Sequence, residues 1–127
     1  MRRPFALGIL ENRIFVDELT RLCAAIDCAG ASNALAQTLL RLSVPGIPDT
    51  YQGGELWHQS LVDPDNRRPV DYAVRRKYLA DLKSKRAEPR ALAAELIDTY
   101  PDGRIKLFVT HAGARESQGL GLLAQVR

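Results

Sequence analysis

The sequence predicts a mainly α-helical chain broken by one or two short strands. Two observations carry this. Apolar residues recur at helical three- and four-residue spacings through most of the 127 residues. Between residues 45 and 72, in "PGIPDTYQGGELWHQSLVDPDNRRPVDY", that spacing gives way to Pro, Gly, Asp and Asn. With 46% hydrophobic and 26% charged residues, the composition is that of a soluble globular chain long enough to bury a core.

Residues 1–15 show no clear helical pattern and read as an irregular N-terminal segment. From Val16 to Cys28, Leu19, Leu22, Cys23 and Ile26 fall on one helical face, Asp17 and Glu18 suit the first turn, and Gly30 is a natural stop. Ser32 can cap a second helix over "NALAQTLLRLSV", with Leu35, Leu39 and Leu42 as its stripe and Pro45 as its limit. A short strand is expected after Pro48 in "IPDTYQ", closed by a turn at Gly53 and Gly54. "WHQSLVDPDNRRP" then reads as a polar loop whose Asp63, Asp65 and Asn66 fold side-chain oxygens onto nearby N–H groups. Pro69 suits the first turn of a helix to about Lys85, with Val70, Ala73, Val74, Tyr78, Leu79 and Leu82 on its apolar side. A further helix is expected from Pro89, burying Leu92, Leu96 and Ile97, before the turn "YPDG". "RIKLFVTH" fits strand or helix equally, and the glycine-bearing tail carries little signal.

Eighteen Lys and Arg against 15 Asp and Glu give a net charge of +3, a mild surplus that does not demand a polyanion. Arg67, Arg68, Arg75, Arg76, Lys77, Lys83, Lys85, Arg86 and Arg90 form the one basic run. It is interleaved with Asp71, Asp81 and Glu88 and lacks a nucleic-acid-binding motif, so it reads as a solvated helix face, with a basic nucleic-acid-binding module as the lesser alternative. Cys23 and Cys28 have neither metal-ligand nor disulfide spacing on a helix and are expected to be reduced, buried apolar residues. The opening "MRRPFALGIL" lacks a cleavage site and no apolar run would span a bilayer, which predicts a cytoplasmic chain without a membrane partner.

Glu55, Asp63 and Asp65 are the carboxylates that could serve glycosidic chemistry, but Asp before Pro or Asn is more often a turn former than a catalyst. His58 and His111 have no further ligand at metal spacing, so no metal is expected and both read as surface or loop residues. Ser60 lacks the tight glycine-flanked turn of an acyl-transfer serine. Tyr51, Gln52, Trp57, Asn66, Arg67 and Arg68 combine aromatic faces with planar hydrogen-bonding groups, the mixture a sugar-contacting surface needs. A loop whose aromatics cover the end of a core would show the same composition.

"NALAQTLLRLSVPGIPDTYQGGELW" followed by "SLVDPDNRRPVDY" resembles the late part of the maltooligosyl trehalose synthases, a family within the alpha-amylase superfamily (glycoside hydrolase family 13). The resemblance covers about residues 16 to 110, with "DGRIKLFVT" as a weaker third patch, and leaves residues 111–127 as a divergent tail. His58 stands where the family usually carries an aspartate.

The resemblance implies a partial (β/α)8 barrel: "IPDTYQ" as the last strand, flanking helices outside it, and "RIKLFVT" helical. It implies that Tyr51, Gln52, Glu55, Asp63, Asp65, Asn66, Arg67 and Arg68 line or brace the rim of a maltooligosaccharide cleft. The family's reaction is an intramolecular transglucosylation that needs no cofactor and turns a reducing-end α-1,4 bond into an α,α-1,1 bond. Its nucleophile, acid/base and stabilising aspartate match no position here, so the chain is expected to be inactive alone, its partner being the missing barrel portion. A non-catalytic protein that binds maltooligosaccharide or docks on an enzyme is the alternative from another class.

Overall fold

The computed structural model describes residues 2–46, 48–61 and 63–119. Among them five α-helices occur: α1 (Arg2–Glu11), α2 (Arg13–Ser43), α3 (Tyr72–Ser84), α4 (Pro89–Asp98) and α5 (Arg104–Gly119). Single 3-10 turns lie at Asp65–Arg67 and Tyr100–Asp102. No helix among the described residues is long and apolar enough to cross a membrane. The chain divides into two compact units, residues 1–34 and 35–127.

The N-terminal unit is helical throughout its described length apart from Asn12. Residues 2–11, expected to be irregular, form α1. Asn12 separates the two helices and caps the second, its side-chain oxygen accepting the Phe15 N–H at 3.2 Å. Gly30 does not end a helix: α2 runs through it, joining the two helices expected at 16–28 and 33–42. A mid-helix glycine costs roughly 1 kcal/mol against alanine. Ala24, Ala25, Ala29, Ala31 and Ala34 surround it with the strongest helix former, and no stop residue stands before Pro45. The expected apolar face is exposed within this unit, Leu19 at 42% and Leu22 and Ile26 at 58%. Cys23 and Cys28 are free thiols, as expected, but exposed rather than buried.

The C-terminal unit holds the core. Leu82 of α3, Leu92 and Leu96 of α4 and Leu107 of α5 bury against one another, with Leu56, Tyr78, Leu79, Ile105 and Phe108 packed around them. α3 starts three residues later than Pro69 suggested, because Asp71 caps it by accepting the Val74 N–H at 3.0 Å. Pro89 takes the first position of α4 as expected, and Ile97 points outward, 62% exposed. "YPDG" makes the 3-10 turn and ends on Gly103 at φ +80°, a left-handed position that suits glycine. "RIKLFVTH" is helical, and His111, expected on a surface loop, sits half-buried on α5. Its pKa is lowered by burial and then by Lys83, Arg115 and Arg86. At Gly113 an added Cβ would lie 2.8 Å from Leu42 Cδ1, so α5 and the end of α2 approach as closely as glycine permits.

An ionic hub joins the three core helices. Arg104 donates to Asp102 Oδ2 at 2.7 Å, Glu95 Oε1 at 2.8 Å and Asp81 Oδ2 at 3.2 Å, and Lys85 bridges the same Glu95 and Asp81. Hydrogen bonds to Asp102 and Glu95 raise the Arg104 pKa further, and those from Lys85 and Arg104 depress that of Glu95.

The expected barrel fragment with one or two strands is not found: no strand occurs among the described residues. Residues 48–51 have no regular structure, and Ile47 of "IPDTYQ" lies outside the described residues. A strand needs a neighbour to receive its backbone groups. Here Pro45 and Pro48 lack N–H donors, while Gly46 at φ +138° and Gly53 at φ +87° turn the chain out of the extended region.

Candidate functional site

Among its described residues, the segment from Val44 to Asp71 has no helix beyond its single 3-10 turn, yet side chains tie it down repeatedly. Its first element is a turn, Gly54 N–H donating to the Tyr51 carbonyl at 3.0 Å. At Gly53 an added Cβ would meet Val70 Cγ2 at 3.3 Å and His58 Nδ1 at 3.5 Å, so Gly53 and Val70 come together at the base of the stretch between them. This contact forms the neck of a loop.

Three groups hold the loop to the helices. The Arg75 guanidinium donates through Nε to Glu55 Oε2, through one terminal nitrogen to the Gly53 carbonyl and through the other to the Asp71 carbonyl, each at 3.0 Å. The Trp57 indole N–H donates to the Tyr100 carbonyl at 2.6 Å. Lys106 Nζ donates to the Leu56 carbonyl at 3.3 Å and lies 5.8 Å from the centre of the Trp57 ring. Burial and the nearby Arg41 lower the Lys106 pKa. Gly103 admits this packing: an added Cβ would stand 3.0 Å from the Trp57 nitrogen.

The tip is braced internally. Arg67 grips Asp63 with two bonds, at 3.2 and 2.8 Å, and Asp65 accepts the Leu61 N–H at 2.8 Å while pairing with Arg68. Arg67 holds Asp63 below the usual carboxylate range; the Leu61 N–H and then Arg68 do so for Asp65. Asn66 donates to Asp63, while its own side-chain oxygen is buried without a hydrogen-bond partner. A smaller influence of Tyr51 adds to the raised Arg67 pKa, and one of His58 to the lowered Asp65 pKa.

The structure therefore gathers Asp63, Asp65, Asn66, Arg67 and Arg68 into one neighbourhood, and Tyr51 and both arginines are exposed. Gln52 is exposed on the neck turn. Glu55 stands apart, held by Arg75 at the neck. At neutral pH both loop aspartates are ionised and neither has a proton to deliver, so the array can bind and orient by hydrogen bonding and stacking but cannot act as a general acid. No group of three or more His, Cys, Asp or Glu among the described residues could hold a metal ion. Of the basic run, Arg67, Arg68, Arg75 and Lys85 are paired with carboxylates. Arg75 and Trp57 are the structural anchors that the residue pattern did not single out as such. Their partners lie 20 and 43 positions away, beyond any local spacing signal.

Two proteins, from two strains of Mycobacterium tuberculosis and each bearing the name "Putative maltooligosyl trehalose synthase", are 53% identical to this chain over 96 residues. The matched segment is 76% of this chain and 12% of each relative, so the chain spans only a small part of the length of the curated proteins it matches. No family model matches the chain. No solved structure matches it.

Proposed function

We propose that this chain is a segment of a maltooligosyl trehalose synthase, an intramolecular transglucosidase of glycoside hydrolase family 13 that works in the cytoplasm. The observation that carries this is the 53% identity over three quarters of the chain to proteins of that name. The reaction breaks the α-1,4 bond between C1 of the penultimate glucose and O4 of the reducing-end glucose and joins that C1 to O1 of the same reducing-end glucose, the proton of O1 ending on O4, so that an α,α-1,1 linkage forms and no sugar is released. In it Tyr51, Gln52 and Asp63 to Arg68 form a substrate-facing rim: Tyr51 offers an aromatic face, and Gln52, Arg67 and Arg68 offer planar donors to vicinal hydroxyls. Glu55 braces the rim through Arg75. The carboxylates that make and break the glycosidic bond lie outside this chain, which is inactive alone.

The test is a transplant: this chain's matched residues replace the corresponding 96 in the mycobacterial relative. The transplant should consume the reducing ends of maltopentaose at a rate comparable to its parent, without releasing glucose, and the 127-residue chain alone should consume none. A transplant that melts with its parent but leaves the reducing ends intact would refute the assignment, and activity of the isolated chain would refute its inactivity.

A further inference from the structure

We propose that Arg75 is the positioning residue of the sugar-facing loop, a single guanidinium that staples the loop's neck and so fixes the spacing between Tyr51–Gln52 and Asp63–Arg68. The proposal rests on the reading that this loop faces substrate. One planar group on α3 reaches the Gly53 carbonyl, directly after Gln52, and the Asp71 carbonyl, three residues beyond Arg68, both at 3.0 Å. Its remaining edge is held by Glu55 Oε2 at 3.0 Å, and both side chains are mostly buried, 18% and 25% exposed. The two carbonyls belong to the two ends that meet where Gly53 packs against Val70. Between them, Asp63 is bonded by Arg67, and Asp65 by Arg68 and the Leu61 N–H, which ties these residues of the tip to one another. Arg75 thus sets where the tip stands relative to the neck turn. Lysine cannot take over, because the three acceptors are met by three different nitrogens spread over a planar fork, positions that a single ammonium nitrogen cannot occupy at once. The role given to Glu55 changes accordingly: it orients Arg75 and touches no sugar.

Two measurements test this. In the 127-residue chain, Arg75→Gln should speed amide hydrogen exchange across residues 53–71 by about tenfold, as loss of charge-assisted bonds implies, while amides around Leu96 and Leu107 keep their rates. In the transplant, the same substitution should raise KM for maltopentaose about tenfold with kcat within about twofold and an unchanged melting temperature. Arg75→Lys should recover only part of either effect. Glu55→Gln, which keeps both carbonyl contacts, should give a smaller effect than Arg75→Gln and guards against a misfolded variant. Unchanged exchange in the loop would overturn the staple, and faster exchange with an unaltered KM would reduce Arg75 to a purely structural residue. An unsubstituted transplant that melts with its parent but consumes no reducing ends would instead defeat the assignment of function, leaving exchange to decide the staple.

Discussion

The described residues of 1–34 and of 35–127 both include helices, but only in the second set are any of them buried. In the N-terminal unit no described residue is buried, and Phe5, Ile14 and Leu22 stand 72%, 73% and 58% exposed. In the C-terminal unit Leu82, Leu92, Leu96 and Leu107 fall to between 2% and 6%. The difference separates two things that a helical pattern conflates. Alanine-rich segments such as 24–36 meet the local requirements of a helix, whereas a core needs side chains far apart in sequence to converge. Stability of this chain should therefore reside after residue 34.

Substitutions can break or sharpen that contrast. Leu96→Ala, at the most buried side chain, should cost about 2–5 kcal/mol in urea unfolding followed by tryptophan emission. Gly103→Ala should cost about 1–3 kcal/mol in the same experiment, because the left-handed backbone and the nearby Trp57 nitrogen both resist a Cβ. Arg104→Met removes bonds to three carboxylates and should cost about 1–2 kcal/mol, since those partners remain about a third exposed to water. Acid should act on the same hub. Glu95 has a folded pKa below its ordinary 4.5, so its contribution is present above about pH 4.5 and is lost as pH falls through the folded value. The melting temperature should drop below that pH, and Arg104→Met should flatten the drop. Smallest of all, Leu22→Ala in the N-terminal unit should change stability by less than about 0.5 kcal/mol. A loss above about 1 kcal/mol would show that this face is covered in solution.

Much of the C-terminal unit was legible in the sequence. Leu82, Leu92 and Leu96 lie at helical spacing, Pro89 marks the start of α4 and "YPDG" the turn after it, and each signal acts within a few residues. Legibility failed where a competing effect lay elsewhere. Gly30 carries a stop signal only if its neighbours are weak helix formers, and they are alanines. "IPDTYQ" has strand-like residues, but a strand exists only with a partner, and none is found among the described residues. At the candidate site, the backbone bond of Asp65 was readable because it is local, the side chain accepting the Leu61 N–H, whereas Asp63 bonds the Arg67 guanidinium instead and the Asn66 side-chain oxygen meets no hydrogen-bond partner. The pairing of Glu55 with Arg75 was not, since no periodicity links residues 20 apart.

Trp57 is the only tryptophan in the chain, and its indole sits at the joint between the loop and the Tyr100 turn. Emission is therefore a local gauge: it registers detachment of the loop or loss of the C-terminal core. Far-ultraviolet ellipticity weighs all five helices together, including α1 and most of α2. Melted side by side, the two signals should part company, ellipticity declining gradually from low temperature while emission holds level and then changes in one cooperative step. The gap between the curves would measure how much of the chain's helix is secondary structure without a tertiary home.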